Sequence, residues 1–141
     1  MGTRRKAREA ALQFLFQGDF SDDKEVSSAS LDEQFEQFCQ MYQINKKARN
    51  YTLQLLKQTI ENREFVDSMI VQCAENWRLE RIAVTDRNLL RIGVSEMLYS
   101  DDVPSQVAIN EAVEIAKRYG SDESPSFING ILDAVKNRIQ T

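Results

Sequence analysis

Four cations, Arg4, Arg5, Lys6 and Arg8, stand within the first eight residues, in the stretch RRKAR, with no acid among them. Side chains of this kind at this density bind anions, phosphate above all. The residues that follow read as a helix, so the cations sit at its N-terminus. There they meet the positive end of the helix dipole, at a cost of roughly 0.3–1 kcal/mol each at low salt. The same end leaves backbone N–H groups unpaired, and those groups attract phosphate. The arrangement disfavours the isolated helix and suits a helix that meets an anion. A solvated basic tail is the plainer reading of any charge run. Two observations weigh against it here. The run continues directly into an amphipathic pattern, which orders the cations, and the rest of the chain is acidic.

The charge asymmetry is explicit. The 141 residues carry 18 basic and 22 acidic side chains, a net charge of −4. Beyond residue 8 there are 14 basic and 22 acidic residues, a net charge of −8. An acidic body with a basic tip points to a localised anion site rather than general adhesion to nucleic acid. Phe16 adds a second feature. At about 100° per residue it lies away from Ala7, Ala11 and Phe14, on the side of Arg5, Leu12 and Glu9. It is either covered by another helix or an anchor for a partner.

Other chemistries are missing. The chain has no histidine, which removes the commonest general base and the commonest metal ligand. Cys39 and Cys73 have no partners in a metal-binding spacing, and glycine-rich phosphate loops do not occur. The many carboxylates read as solvated helix faces. Nothing calls for catalytic residues, a metal or a cofactor, and the chain does not read as an enzyme. No apolar run reaches the roughly 18–20 residues that span a bilayer, and the charged N-terminus lacks the apolar core of a secretory signal. The two cysteines read as buried free thiols, which fits a cytoplasmic protein.

The elements that must position these groups read as helices almost throughout. A composition of 42% hydrophobic and 28% charged residues, with 5 Gly and 2 Pro, suits one compact domain. The first helix is expected over Thr3–Gln17, with Gly18 as its stop. Residues 18–29 read as a polar loop. Ser30 and Glu33 form a capping box for a second helix with Leu31, Phe35, Phe38, Cys39 and Tyr42 on one stripe. A third helix starts near Asn45 and carries Ala48, Tyr51 and Leu55. A fourth starts near Asn62 and carries Val66, Met69, Ile70, Cys73 and Trp77. After a connector at 78–84, Thr85 caps a fifth helix, with Asp86 in its first turn and Leu89, Leu90, Gly93, Val94 and Met97 inward. The sixth runs to Tyr119, with Gly120 as its stop. Ser124 caps the seventh, with Pro125 at its first position. Asn129–Gly130 is ordinarily a hairpin cue, but helical spacing continues across it. The result is an all-α chain of seven helices.

Four stretches, RRKAREAALQFLF, DRNLLRIGVSEMLY, DVPSQVAINEAVEIAKRYG and SFINGILD, resemble in order and separation the family of the bacterial transcription antitermination factor NusB. The resemblance covers nearly the whole chain. It implies an all-α fold of two helical subdomains within a domain spanning residues 1–141. It also implies a non-catalytic role: binding the boxA element of nascent single-stranded RNA together with NusE, a small ribosomal subunit protein, within the RNA polymerase antitermination complex on ribosomal RNA operons. By position, Arg4, Arg5, Lys6 and Arg8 match the family's arginine-rich RNA-binding start. Lys6 stands where arginine is usual, which keeps the charge and loses the planar fork. Phe16 stands where tyrosine is frequent at the NusE surface, and Glu80, Asp86 and Arg87 match positions near that surface. For Asp86, helix-start charge already suffices as an explanation.

Lys117, Arg118, Tyr119 and Phe127 complete the RNA set that the resemblance implies. Cations also suit a helix C-terminus without any ligand, and Phe127 shares a helix row with Ile131 and Ala134. Near RNA, Tyr119 or Phe127 would stack unpaired bases. Asp122 and Glu123 would repel RNA and limit non-specific affinity. Four neutralised phosphates would give a slope of log K against log salt of about −3 for a single strand. An alternative is the RNA-engaging NusB-like domain of an enzyme resembling ribosomal RNA cytosine methyltransferases. Another is a helical interaction module without RNA. Exposed apolar surface would also support a homodimer.

Overall fold

The computed structural model describes residues 2–19 and 28–140. These hold seven α-helices, one 3₁₀ turn and no strand, in two compact units, Met1–Glu61 and Asn62–Thr141. Of the loop expected at 18–29, residues 20–27 lie outside the described residues, and 18–19 and 28–29 belong to helices.

The first unit consists of α1 (Thr3–Asp19), α2 (Ser28–Tyr42) and α3 (Lys46–Glu61). Helices α1 and α2 both pack against α3. Ala7, Ala10 and Ala11 are small enough to let α1 approach α3 closely, and all three are buried. Thr52 Oγ1 fastens the pair by donating to the Ala7 carbonyl at 3.2 Å. Phe14 meets Phe38 edge to face at 5.3 Å and Phe35 at 6.2 Å, joining α1 to α2. Helix α3 starts beside Asn45 as expected, and Asn45 caps it, its Oδ1 accepting from the Lys47 N–H at 2.9 Å.

Two expected boundaries in this unit are corrected. Gly18 does not stop α1, which runs through Asp19. The stop was read from glycine's preference for a left-handed cap, but a glycine also stays helical at a cost of roughly 1 kcal/mol. Helix α2 starts at Ser28, so Ser30 lies inside it, where its hydroxyl is 3.4 Å from Gln34 Nε2. The left-handed cap falls elsewhere. Gln43, at φ 51°, ends α2, and the Ile44 N–H reaches back to the Cys39 carbonyl at 3.1 Å.

The second unit consists of α4 (Arg63–Cys73), the 3₁₀ turn (Leu79–Arg81), α5 (Val84–Tyr99), α6 (Ser105–Tyr119) and α7 (Ser124–Gln140). Helix α5 is its axis, contacted by α4, α6 and α7. It is buried almost all round, including the polar Asn88, Arg91, Ser95 and Glu96. A buried charge needs partners. Arg91 has them: Nε and Nη2 reach the Asp67 carboxylate at 2.8 and 3.2 Å, and Nη1 reaches Asn88 Oδ1 at 3.1 Å. Gly93 lets α7 pack closely, since a Cβ there would lie 2.9 Å from Leu132 Cδ1 of α7 and the leucine side chain would have to shift.

Three expectations are corrected here. Helix α4 ends at Cys73, so Trp77 lies beyond it and not on its inner stripe. Thr85 does not cap α5; the cap position is Ala83, without a side-chain hydrogen bond. Ser124 is the first residue of α7 rather than its cap. Its Oγ accepts from the Ser121 N–H at 2.9 Å, while the Phe127 N–H bonds the Glu123 carbonyl. Asn129 and Gly130 lie within α7, as the spacing required.

Candidate nucleic-acid interface

In the first unit the cationic tip is ordered by a residue on another helix. Arg4 and Arg8 are one helical turn apart on α1, so both face the same neighbour on α3. That neighbour is Tyr51. The Arg4 guanidinium lies 4.5 Å from the centre of its ring, and that of Arg8 lies 5.8 Å from it. Cations over an aromatic face within about 6 Å are attracted by its quadrupole. Stacking uses the flat side of a guanidinium, and its N–H donors lie in the plane, at the edge.

The four cations are not equivalent. Arg4 and Lys6 are exposed and Arg5 is half-buried, whereas Arg8 is only 4% exposed. Burial of Arg8 follows from its place beside the Ala7 and Ala11 contact with α3. Phe16, at 40% exposure, lies off the core face as the helical angle required. Tyr51 was expected on the inner stripe of α3. Its pairing with arginines 43 and 47 positions earlier leaves no local signal, because only the packing of α1 on α3 creates it.

In the second unit the expected groups gather where α6 turns into α7. Lys117, Arg118 and Tyr119 close α6 and are exposed. Arg118 lies 5.3 Å from the Tyr119 ring centre, and Lys117 Nζ is 2.6 Å from Glu114 Oε2 on the surface. The turn is tight. A Cβ on Gly120 would lie 2.5 Å from Ser124 Oγ and 3.0 Å from the Ala116 carbonyl, so glycine is required. Asp122 and Glu123 are exposed in the same turn. Phe127 is half-buried at the start of α7, above buried Ile131. Its ring meets Trp77 edge to face at 5.8 Å and 76°. Trp77 is therefore a neighbour of the expected set that its core-stripe reading concealed.

The residues expected at a protein partner are dissimilar. Glu80 is exposed in the 3₁₀ turn and Arg87 is half-buried on α5. Asp86 is 9% exposed in the first turn of α5, where its charge suits the dipole. Its Oδ1 is buried without a hydrogen bond among the described residues.

Among the described residues no cluster of three or more cysteine, aspartate and glutamate side chains gathers to hold a metal. Cys39 is buried and Cys73 half-buried, against the expectation that both are buried, and both are free thiols. Burial pushes both thiols above their ordinary range, opposed at Cys39 by Arg49 and at Cys73 by Arg138. No described helix is long and apolar enough to cross a membrane.

The model of the NusB family matches residues 5–137. The chain belongs to the NusB family. It is 55% identical over 140 residues to a transcription antitermination protein NusB from Desulfotalea psychrophila, covering 99% of each sequence. Among solved structures, NusB from T. maritima is 35% identical with a TM-score of 0.76, covering 98% of this chain and 97% of that one. A NusB in a crystal structure of the antitermination factors NusB and NusE with double-stranded RNA is 25% identical with a TM-score of 0.80, covering 98% of each chain. The all-α NusB fold expected from the four matching stretches is thus the observed one. The NusB match takes in Arg5, Lys6 and Arg8 of the cationic helix start and the whole α6–α7 turn, while Arg4 lies one residue before it.

Proposed function

We propose that this chain is a non-catalytic, cytoplasmic transcription antitermination factor. It binds the boxA element of nascent RNA together with NusE and joins the RNA polymerase antitermination complex on ribosomal RNA operons. Residues 1–141 act as one RNA-binding protein, in which Arg4, Arg5, Lys6 and Arg8 meet phosphates and Lys117, Arg118, Tyr119 and Phe127 meet phosphate and unpaired bases. The observation that carries this reading is the cationic start of α1, with Arg4 and Arg8 held over the Tyr51 ring. Cations that only kept the chain soluble would have no need of an aromatic support.

The burial of Arg8 revises the expected salt response. Three accessible cations on α1, rather than four, give a slope of about −2 for that helix on a single strand. Tyr119 and Phe127 favour unpaired RNA, because bases within a duplex are hidden in the stack. Phe16 and Glu80, both exposed, are the residues proposed to touch NusE. Asp86 and Arg87 complete the proposed partner set, and the Asp86 charge also suits the start of α5.

The test is binding of a boxA RNA and a scrambled RNA, each with and without NusE, between 50 and about 300 mM salt. The expected result is modest, salt-sensitive binding to boxA alone and tighter, sequence-selective binding beside NusE. Arg4→Ala, Arg5→Ala and Lys6→Ala combined should flatten the slope with helicity kept. Absence of RNA uptake in all four arms refutes the proposal.

A further inference from the structure

We propose that Trp77 is a stacking platform for one unpaired base of a single-stranded RNA, with Phe127 as the wall that fixes it. The inference rests on the RNA-binding reading above and extends it to a residue outside that set. Trp77 is the single tryptophan of the chain, and 52% of it is exposed. A large indole left half in water forgoes much of the burial that favours aromatic residues in a core.

Its position is nonetheless fixed. The Trp77 N–H donates to the Ala74 carbonyl at 3.0 Å, and the 3₁₀ turn begins two residues later. Ala74 and Ile82, on either side of it in sequence, are 5% and 4% exposed and anchor the segment. Phe127 meets the indole edge to face at 5.8 Å, and Phe127 itself rises from α7 above buried Ile131. The indole is thus held at a set angle from a rigid element, which is what a stacking surface requires.

The surroundings favour a base over a protein side chain. An aromatic anchor in a protein interface sits within a water-excluding ring of neighbours. Here Glu75, Asn76, Arg78 and Arg81, near Trp77 in sequence and outside the partner set, are all polar and exposed. A flat, partly apolar base joined to a charged backbone suits an aromatic face with Arg78 beside it. The contact with Phe127 also ties Trp77 to the α6–α7 turn, where Lys117, Arg118 and Tyr119 are exposed.

Because Trp77 is alone of its kind, intrinsic tryptophan fluorescence of the full chain reports this site and nothing else. Titration with single-stranded boxA RNA should quench it, while a fully paired duplex of the same sequence should leave it unchanged. Labelled-RNA anisotropy measures affinity independently. Trp77→Ala should lower single-strand affinity about tenfold, equivalent to about 1.4 kcal/mol, and Trp77→Phe should restore most of it. The salt slope should be the same in all three proteins, since stacking releases no counterions. If the labelled single strand binds while fluorescence stays flat and Trp77→Ala binds as tightly, the stacking role is overturned and the RNA-binding reading stands. If fluorescence answers to NusE alone and Trp77→Ala weakens only that complex, the indole belongs to a protein contact and the proposal fails. If no RNA is taken up at all, both readings fall together.

Discussion

Replacing Tyr51 tests whether its ring aims the arginines or merely fills space. Tyr51→Leu keeps an apolar side chain on α3 and removes the quadrupole beneath Arg4 and Arg8. The Arg4 contact, at 4.5 Å with an exposed guanidinium, is worth about 0.5–1 kcal/mol. Arg8 is buried, which strengthens such a contact, but at 5.8 Å it lies near the limit of the attraction, so a similar value applies. Stability should fall by about 1–2 kcal/mol, a decrease in Tm of roughly 2–8 °C for a chain of this size. The effect on RNA differs in kind. Arg8 stays enclosed by its neighbours, so only Arg4 gains freedom that RNA must remove again. Immobilising one such side chain costs about 0.5–1.5 kcal/mol, a loss of roughly 2- to 13-fold in affinity. The charges remain, so the salt slope should not change. Tyr51→Phe retains the ring and should bind RNA as the parent does. Urea unfolding and RNA titrations at three salt concentrations suffice. If Tyr51→Leu unfolds more easily yet binds RNA as tightly as the parent, or if Tyr51→Phe loses as much affinity as Tyr51→Leu, the ring does not aim the cations.

Gly120→Ala should destabilise the second unit by about 1–3 kcal/mol, because its Cβ would collide with Ser124 and with the Ala116 carbonyl; chemical denaturation reads this directly. Asp67→Ala leaves Arg91, 5% exposed, without its bidentate partner and should cost about 3–5 kcal/mol, whereas the double variant Asp67→Ala with Arg91→Met should recover part of the loss. Glu123→Lys removes an exposed acid from the α6–α7 turn and should raise affinity for scrambled RNA, measured by anisotropy, with unchanged binding disposing of the repulsive role.

The helices with a clean inner stripe were legible because burial on one face imposes a 3.6-residue period. Leu89, Leu90, Gly93 and Val94 of α5 and the stripe Ala108, Ala112, Ile115 and Ala116 of α6 are buried as read, whereas Met97, read on the same stripe of α5, is half-buried. The same period misled at Trp77. Spacing tells which residues would share a face if a helix continued, not whether it continues, and no glycine or proline marks the end of α4 at Cys73. Arg91 and Asp67 are ordinary helix charges in sequence. Their pairing across 24 residues appears only when α4 packs on α5. Arg8 illustrates the same gap at the candidate site. Residue type argued for exposure, and its position beside two buried alanines decided for burial. The charged tip of α1 was legible as a charge pattern, and its aromatic support was not, since Tyr51 lies on a separate helix.

The two sets of groups differ in physical type, and this has a consequence for selectivity. The accessible cations of α1 offer charge, and contacts to phosphate position a nucleic acid without reading its sequence. The aromatic groups of the second unit, Tyr119, Phe127 and Trp77, are proposed to stack on bases, and contacts with bases are what distinguish one unpaired RNA from another. Salt weakens the first kind steeply and the second hardly at all. Raising the salt concentration should therefore lower affinity for boxA and for scrambled RNA in parallel, leaving their ratio nearly constant. Substitutions at the aromatic groups should lower the ratio while leaving the slope alone. An acidic body of net charge −8 beyond residue 8 reinforces the division, because it suppresses diffuse attraction elsewhere on the surface. Weak charge-driven capture, followed by base contacts that a ribosomal partner strengthens, is what such a distribution of groups supports.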